Sequence, residues 1–184
     1  MPLTTVDPKP ALIVIDLQAA IAPHAAASVI ENNAALTAAF REQGHTVVLV
    51  NVTAGAPGRT EENPAGGAHQ LPAEAAVLID ELGATDGDIQ VSKTTWGAFG
   101  STDLHDQLQA LGVTQVFVTG VATSIGAEST AREAHSLGYN VVVIPDAMGD
   151  LTTEAHDAAV SLVFPKLGQI ASTAEVIEAI GGKA

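Results

Sequence analysis

The sequence has no cysteine and few basic residues. Its 184 residues include 7 lysines and arginines against 21 aspartates and glutamates. The absence of thiols excludes disulfides, thiolate metal sites and a cysteine nucleophile. The resulting formal charge of −14 argues against nucleic acid and against anionic membrane surfaces, because both favour basic patches. We therefore expect neither nucleic acid nor membrane as a partner.

Long apolar runs and aromatic residues are also scarce. No stretch approaches the roughly 20 apolar residues of a membrane span, and the N-terminal residues lack the basic start and apolar run of a signal peptide. A cytoplasmic protein is the resulting expectation. Aromatic residues make up 3% of the chain and hydrophobic residues 47%, so alanine, valine, isoleucine and leucine must supply the core. The length suits one domain over residues 1–184.

Short apolar runs alternate with alanine-rich segments of helix length, which is typical of a parallel sheet with crossover helices. The prediction is an α/β fold with a single parallel sheet of about six strands and helices on both faces. Glycine, proline and polar residues make residues 53–72 a long loop, and such loops are often functional or mobile. Strands are predicted at 11–15, 46–50, 88–91, 115–119, 140–144 (closed by Pro145) and 169–171. Helices are predicted at 26–43, 73–82, 102–111, from 123 or 124 to Gly138, at 153–164 and from a capping box at 172–175.

Two ionisable residues and a glycine stand at the ends of three predicted strands. Asp16 ends the first strand, Lys93 follows the third and Gly126 follows the fourth. Ligands bind outside the carboxyl ends of parallel strands, so all three fall on the edge where a site is expected. Taken alone, Asp16 is as compatible with a helix cap, and Lys93 with a solvated surface. A nearby lysine favours the ionised form of Asp16 and burial favours the protonated form, and the sequence leaves open which effect is larger.

Three segments resemble the isochorismatase-like (cysteine hydrolase) superfamily. They are residues 11–18 (ALIVIDLQ), 92–99 (SKTTWGAF) and 116–132 (VFVTGVATSIGAESTAR). In that family an aspartate, a lysine and a cysteine form the catalytic trio. Asp16 and Lys93 match the first two, and Gly126 stands at the nucleophile position. The resemblance implies a Rossmann-like three-layer fold, a cis peptide between Val121 and Ala122, and a homo-oligomer.

The family resemblance implies two alternative chemistries. Members with the cysteine cleave C–N bonds through a thioester. Isochorismatases hydrolyse a vinyl ether and resemble this chain in carrying glycine at that position. The chain is thus expected to hydrolyse a small anionic molecule, with Asp16 as acid or base and Lys93 as its electrostatic partner. Residues 122–124 and 128–132 resemble the amidase branch instead, so a nucleophile-less pseudoenzyme or small-molecule binding protein stays the alternative.

Further candidates for substrate binding follow from the same matched segments. Trp96 and Phe99 come directly after Lys93 and either wall the pocket or belong to the ordinary core. The histidines are scattered without metal-ligand spacing, so no metal is expected, and no cofactor fingerprint is present. The full set of candidate substrate-binding residues is Gln18, Trp96, Phe99, Val121, Ala122 and Ile125.

Overall fold

All strands in the described part of the chain belong to one parallel sheet. A computed structural model describes residues 3–181. The strands are β1 (Pro10–Ile15), β2 (Thr46–Val52), β3 (Ile89–Lys93), β4 (Gln115–Val121), β5 (Asn140–Gly149) and β6 (Gln169–Ile170). They lie in the order β3-β2-β1-β4-β5-β6, and each neighbouring pair is parallel. The α/β fold class predicted from the sequence is confirmed.

Helices cover the two faces of this sheet. They are α1 (Ala27–Glu42), α2 (Leu104–Leu111), α3 (Glu128–Ser136), α4 (Thr153–Ala158), α5 (Phe164–Leu167) and α6 (Thr173–Ala179). The side chains of β1 alternate between two apolar clusters: Ile13 and Ile15 pack on the side of α2 and α3, whereas Leu12 and Val14 pack on the side of α1 and α6. Every residue of β1 is buried, which explains why its sequence is an unbroken apolar run.

The prediction of a helix at residues 73–82 is wrong. The chain instead makes two short 3₁₀ turns, Ala73–Ala76 and Asp80–Leu82. Between them the backbone extends and pairs with the segment after β1: Ala19 N donates to Val77 O at 2.8 Å, and Ile79 N donates to Leu17 O at 3.1 Å. These long-range bonds replace the local ones that a helix would make. They also fix the chain that leaves β1.

Strand β5 continues beyond Pro145, where the sequence predicted its end. Val118 of β4 pairs with Val143, but Gly120 pairs with Met148, so extra residues of β5 bulge out of the ladder between them. A bulge accommodates proline, because its missing N–H is not needed for pairing there. The extension brings Gly149 beside Val121, at the end of β4.

The C-terminal third contains one long helical run followed by a well-capped helix. The helix predicted at residues 153–164 is α4, a π-helical turn at Ala159–Val163 and α5 in succession. The capping box predicted at residues 172–175 is confirmed, with Ser172 and Glu175 bonding each other's backbone N–H groups. Within residues 3–181, no helix has both the length and the apolar character needed to cross a membrane.

Candidate active site

The candidate site lies where the direction of strand order reverses. The chain builds β1, β2 and β3 toward one edge of the sheet, then returns to place β4 on the other side of β1. Such a reversal opens a crevice at the carboxyl ends of the two adjacent strands, which is where open α/β sheets bind ligands. Asp16 directly follows β1, and the turn that contains Gly126 directly follows β4.

Asp16 carries a buried carboxyl group whose two oxygens differ in their hydrogen bonding. Its Oδ2 accepts a hydrogen bond from Lys93 Nζ at 2.7 Å, whereas Oδ1 has no hydrogen-bond partner within the described residues 3–181. The residue is 5% exposed. Burial raises the pKa of Asp16 to about 6, and the charge and hydrogen bond of Lys93 oppose this without cancelling it. The effect of burial on the pKa of Asp16 is therefore larger than the effect of Lys93, a comparison that the sequence alone left open.

The backbone of Asp16 adopts an unusual conformation. Its φ angle is 54°, and no other non-glycine residue among 3–181 has a positive φ. Aspartate tolerates the left-handed region better than most residues, but the conformation still costs energy and tends to persist at functional sites. The Asp16 N–H donates to Val50 O at 2.9 Å, and Gln18 N donates to Asp16 O at 2.9 Å, which together hold this conformation in place.

Lys93 reaches the site from two strands away. It ends β3, is 2% exposed, and pairs with Asp16 across the end of β2. Its Nζ also donates to Thr95 O at 3.2 Å. A buried ammonium group needs such partners, because an unpaired charge in the interior is costly. The Asp16–Lys93 pair is therefore a fixed, mutually dependent unit.

The turn after β4 supplies the opposite wall. It contains a cis peptide between Val121 and Ala122, as the family resemblance implied, and a π-helical turn at Thr123–Ala127 that leads into α3. Two of its amides are already used inside the protein: Ser124 N donates to the Asp150 carboxylate at 2.6 Å, and Ile125 N donates to Ala122 O at 3.2 Å.

Gly126 has no room for a side chain. A Cβ atom built there would lie 2.9 Å from Ile15 Cγ2 and 3.3 Å from Asp16 Oδ2. Real Cβ atoms essentially never approach a carbon that closely. Thr130 Oγ1 fixes the residue from below by donating to Gly126 O at 2.7 Å. Gly126 therefore packs its bare backbone directly against β1 and the carboxyl group.

A cavity of about 420 Å³ opens over these residues. Its polar lining residues are Asp16, Lys93, Thr95, His24 and His69, and its other walls are apolar or glycine. A larger depression of about 620 Å³ lies at the opposite edge, beside the first residues of β4 and β5. Only the first of the two contains the buried ion pair, so we take it as the candidate active site. Among residues 3–181, no group of three or more histidine, aspartate or glutamate side chains is arranged to hold a metal ion.

Comparison with known proteins identifies the family. Residues 10–175 match the family model of the isochorismatase domain. The chain belongs to the isochorismatase family. Members of this family are hydrolases, and the chain is a hydrolase of this kind.

Relatives match over most of their length. The isochorismatase family protein YwoC of Bacillus subtilis (strain 168) is 40% identical over 178 residues, covering 94% of each chain. An isochorismatase family protein of known structure from Burkholderia thailandensis is 38% identical with a TM-score of 0.89, covering 98% of both chains. The ureidoacrylate amidohydrolase RutB of Cronobacter turicensis is 30% identical over 177 residues, covering 79% of this chain and 76% of the relative.

Most of the sequence-predicted site residues of this hydrolase meet at the cavity, but two do not. Asp16, Lys93, Trp96, Val121, Ala122, Ile125 and Gly126 all line it. Gln18 does not, because its buried side chain bridges backbone groups: Nε2 donates to Val52 O and Ala75 O, and Oε1 accepts from Val52 N. Phe99 does not either, because its ring is buried in the core and stacks on Tyr139 at 5.8 Å between ring centroids. The structure therefore places the side chains of Gln18 and Phe99 outside the cavity.

Sequence reasoning missed several lining residues. Ala20, Ile21 and His24 follow β1, while Ala54, Gly55, His69 and Leu71 belong to the loop after β2. That loop closes on itself near its base, where Gly55 N donates to His69 O at 2.9 Å and Leu71 N donates to Thr53 O at 2.8 Å. Their position in the chain could have identified these residues, because each of the two segments leaves the carboxyl end of a strand beside the crevice.

Glu133 of α3 holds the loop between β3 and α2, which contains Trp96 and Phe99. Its Oε2 accepts from Phe99 N at 2.8 Å and from Gly100 N at 3.3 Å, and its carboxylate fills the space that a side chain at Gly97 would need.

Because two amides share one oxygen, Glu133→Gln can keep both bonds and Glu133→Ala loses both. We expect Glu133→Ala to lower the free energy of unfolding by about 1–3 kcal/mol, and Glu133→Gln clearly less. Urea denaturation of the two variants tests this, and equal losses would contradict it.

Proposed function

We propose that the protein is a hydrolase without a protein nucleophile, in which Asp16 acts as a general acid on a small molecule bound in the cavity. The observation that carries this proposal is the state of Asp16. Burial raises its pKa to about 6, and one of its oxygens has no hydrogen-bond partner within residues 3–181. A carboxyl group with a raised pKa near the working pH is suited to donating a proton.

The chemistry that fits is hydrolysis of a vinyl ether. Asp16 transfers a proton to the terminal carbon of the double bond, which leaves an oxocarbenium ion. Water adds to that ion and returns a proton to the Asp16 carboxylate. The resulting hemiacetal or hemiketal breaks into a carbonyl compound and an alcohol. Water is the nucleophile, so the sequence needs no cysteine and Gly126 needs no side chain.

Lys93 supports this cycle electrostatically. Asp16 becomes an anion after it gives up its proton, and the Lys93 ammonium lies 2.7 Å from Oδ2 to stabilise that anion. The same interaction keeps the pKa of Asp16 from rising further. Lys93 thus keeps the acid strong enough to protonate carbon, while burial keeps it protonated often enough to act.

The pH dependence of turnover tests the role of Asp16. Only the protonated acid donates, so kcat/KM should be level below about pH 6 and fall about tenfold per unit above it. Removing Lys93 removes the influence that lowers the pKa of Asp16, so Lys93→Met should move the falling limb to higher pH. Suitable assays are pyruvate release from isochorismate and acetaldehyde release from cyclohexyl vinyl ether, each corrected for the uncatalysed reaction. A rate that rises through pH 6 would instead make Asp16 a base.

The same assays separate the hydrolase from a binding protein. A pseudoenzyme derived from an amidase would bind ligands in this cavity and would show no turnover at any pH. The similarity to RutB supports descent from an amidase, because RutB is named as an amidohydrolase. Saturable ligand binding combined with an uncatalysed rate in both assays would favour it over our proposal.

A further inference from the structure

The cavity walls away from Asp16 and Lys93 are predominantly apolar. Residues at or beyond the carboxyl ends of five strands, β1 to β5, contribute to them, and Trp96 lies at the mouth with 61% of its surface exposed. Cavities of this kind bind molecules with an apolar body and few polar groups. The main apolar walls are Ile21, Val52, Leu71, Val121, Ile125 and Leu151.

Lys93 carries the fixed positive charge at this cavity within residues 3–181, and the Asp16 carboxylate neutralises it at a pH above the pKa of Asp16, which is about 6. Lys93 is the only lysine or arginine among residues 3–181 that lines the cavity, and its ammonium is 2.7 Å from Asp16 Oδ2. With Asp16 ionised, a ligand carboxylate that paired with Lys93 would compete with the Asp16 carboxylate for the same ammonium group. It would then bring a second negative charge next to a buried first one, in a chain whose formal charge is already −14. Burying an unpaired charge is costly, so such binding is disfavoured.

Two histidines provide polar contacts without fixed charge. His24 lies in the 3₁₀ turn after β1, and His69 lies in the loop after β2, and both line the cavity. An imidazole can donate or accept a hydrogen bond while neutral. These side chains therefore suit the ether, hydroxyl or amide groups of an uncharged ligand.

From this distribution we propose that the substrate is a small uncharged molecule whose apolar body packs against the cavity walls. This inference rests on the proposed function for the cavity's role, and it differs from the anionic substrate expected from the sequence. A dicarboxylate such as isochorismate would need more cationic partners than Lys93, the one lysine or arginine that lines the cavity within residues 3–181. An uncharged vinyl ether with a hydrocarbon body would place its double bond near Asp16 and leave the hydrogen bond from Lys93 Nζ to Asp16 Oδ2 intact.

Binding of two matched ligands tests the inference independently of turnover. Trp96 is the only tryptophan in the sequence, so intrinsic fluorescence reports on the cavity mouth. Cyclohexanecarboxamide and cyclohexanecarboxylate have nearly the same shape and differ in charge, and neither absorbs where tryptophan is excited. Both are titrated into the wild-type protein at about pH 8, beyond the range in which histidine ordinarily changes charge. The amide should bind at least about tenfold more tightly than the carboxylate.

Three results would overturn the inference. The first is equal or tighter binding of the carboxylate; if Lys93→Met then abolished this binding, Lys93 would have moved from Asp16 to the ligand. The second is no change in Trp96 emission with either ligand. The third is hydrolysis of isochorismate with no binding of the amide, which would leave the proposed function intact. Conversely, tight amide binding without turnover of either vinyl ether would contradict the proposed function and still support the inference on ligand charge.

Discussion

Asp16→Asn is expected to reduce turnover by about a thousandfold or more, because it removes the proton that the reaction needs. The asparagine oxygen can still accept the hydrogen bond from Lys93 Nζ, so the geometry of the site should survive. The measurement is kcat/KM for cyclohexyl vinyl ether and isochorismate, with circular dichroism and a thermal melt to establish that the variant is folded. A folded variant with near wild-type turnover would remove Asp16 from the mechanism.

A matched substitution controls for the loss of any carboxylate at this edge of the sheet. Asp150 accepts hydrogen bonds from Ser124 N and Leu151 N, and it does not line the cavity. Asp150→Asn changes the same chemical group nearby and should cause a far smaller loss of turnover. Asp16→Asn also leaves the Lys93 charge without its counter-ion, which can destabilise the fold. If that variant unfolds, Asp16→Asn combined with Lys93→Met removes both charges and makes the activity test possible.

The sequence predicts those parts of the fold and site that depend on local patterns. The run at residues 11–15 is apolar throughout because both faces of β1 are covered, and the prediction of a central strand there is correct. Asp16 and Gly126 could be placed on one edge because parallel strands bring their carboxyl ends together. None of this required knowing which side chains touch.

The sequence could not predict features that depend on contacts between distant residues. Asp16 and Lys93, 77 positions apart, are expected on one edge from the sequence, but the pKa of Asp16 depends on how completely the surrounding chain excludes water. Trp96 and Phe99 lie three positions apart, yet one lines the cavity and the other is in the core. Glu133 of α3 accepts hydrogen bonds from the backbone of Phe99 and Gly100, a contact that spans more than 30 positions in the sequence.

Residues 73–82 show how tertiary pairing can override local preference. Their alanine-rich composition favours a helix, but hydrogen bonds from Ala19 and to Leu17 hold the middle of the segment extended. The same region helps to hold the chain that follows Asp16, because the buried side chain of Gln18 donates to Ala75 O. A purely local reading of this segment therefore misses both its conformation and its role.

The second large effect is expected at Gly126, where any side chain should destabilise the protein. In an ordinary helical turn, replacing glycine by alanine stabilises by up to about 1 kcal/mol. Here the added Cβ would lie 2.9 Å from Ile15 Cγ2, and Ile15 is fully buried in the central strand. Overpacking of this kind typically costs about 1–3 kcal/mol. We expect Gly126→Ala and Gly126→Cys to lower the melting temperature by about 2–4 °C for each kcal/mol lost.

Gly58 offers a matched control for the glycine substitution itself. A Cβ at Gly58 would have no heavy atom within 4 Å. Gly58→Ala should therefore change the free energy of unfolding by no more than about 0.5 kcal/mol. A similar loss at both positions would indicate a general cost of replacing glycine, and the contact with Ile15 would then explain nothing.

A double-mutant cycle with Ile15 identifies the clashing atom. Ile15→Ala removes Cγ2, so the further cost of Gly126→Ala should shrink in that background, although Ile15→Ala is itself destabilising. Ile15→Val keeps a methyl group at the Cγ2 position and should leave the cost of Gly126→Ala unchanged. An undiminished cost beside Ile15→Ala, or a melting temperature that rises in Gly126→Ala alone, would contradict the account. If the cycle behaves as expected, the bare backbone at Gly126 is required by the packing around Asp16, and introducing a cysteine there would disturb the general acid.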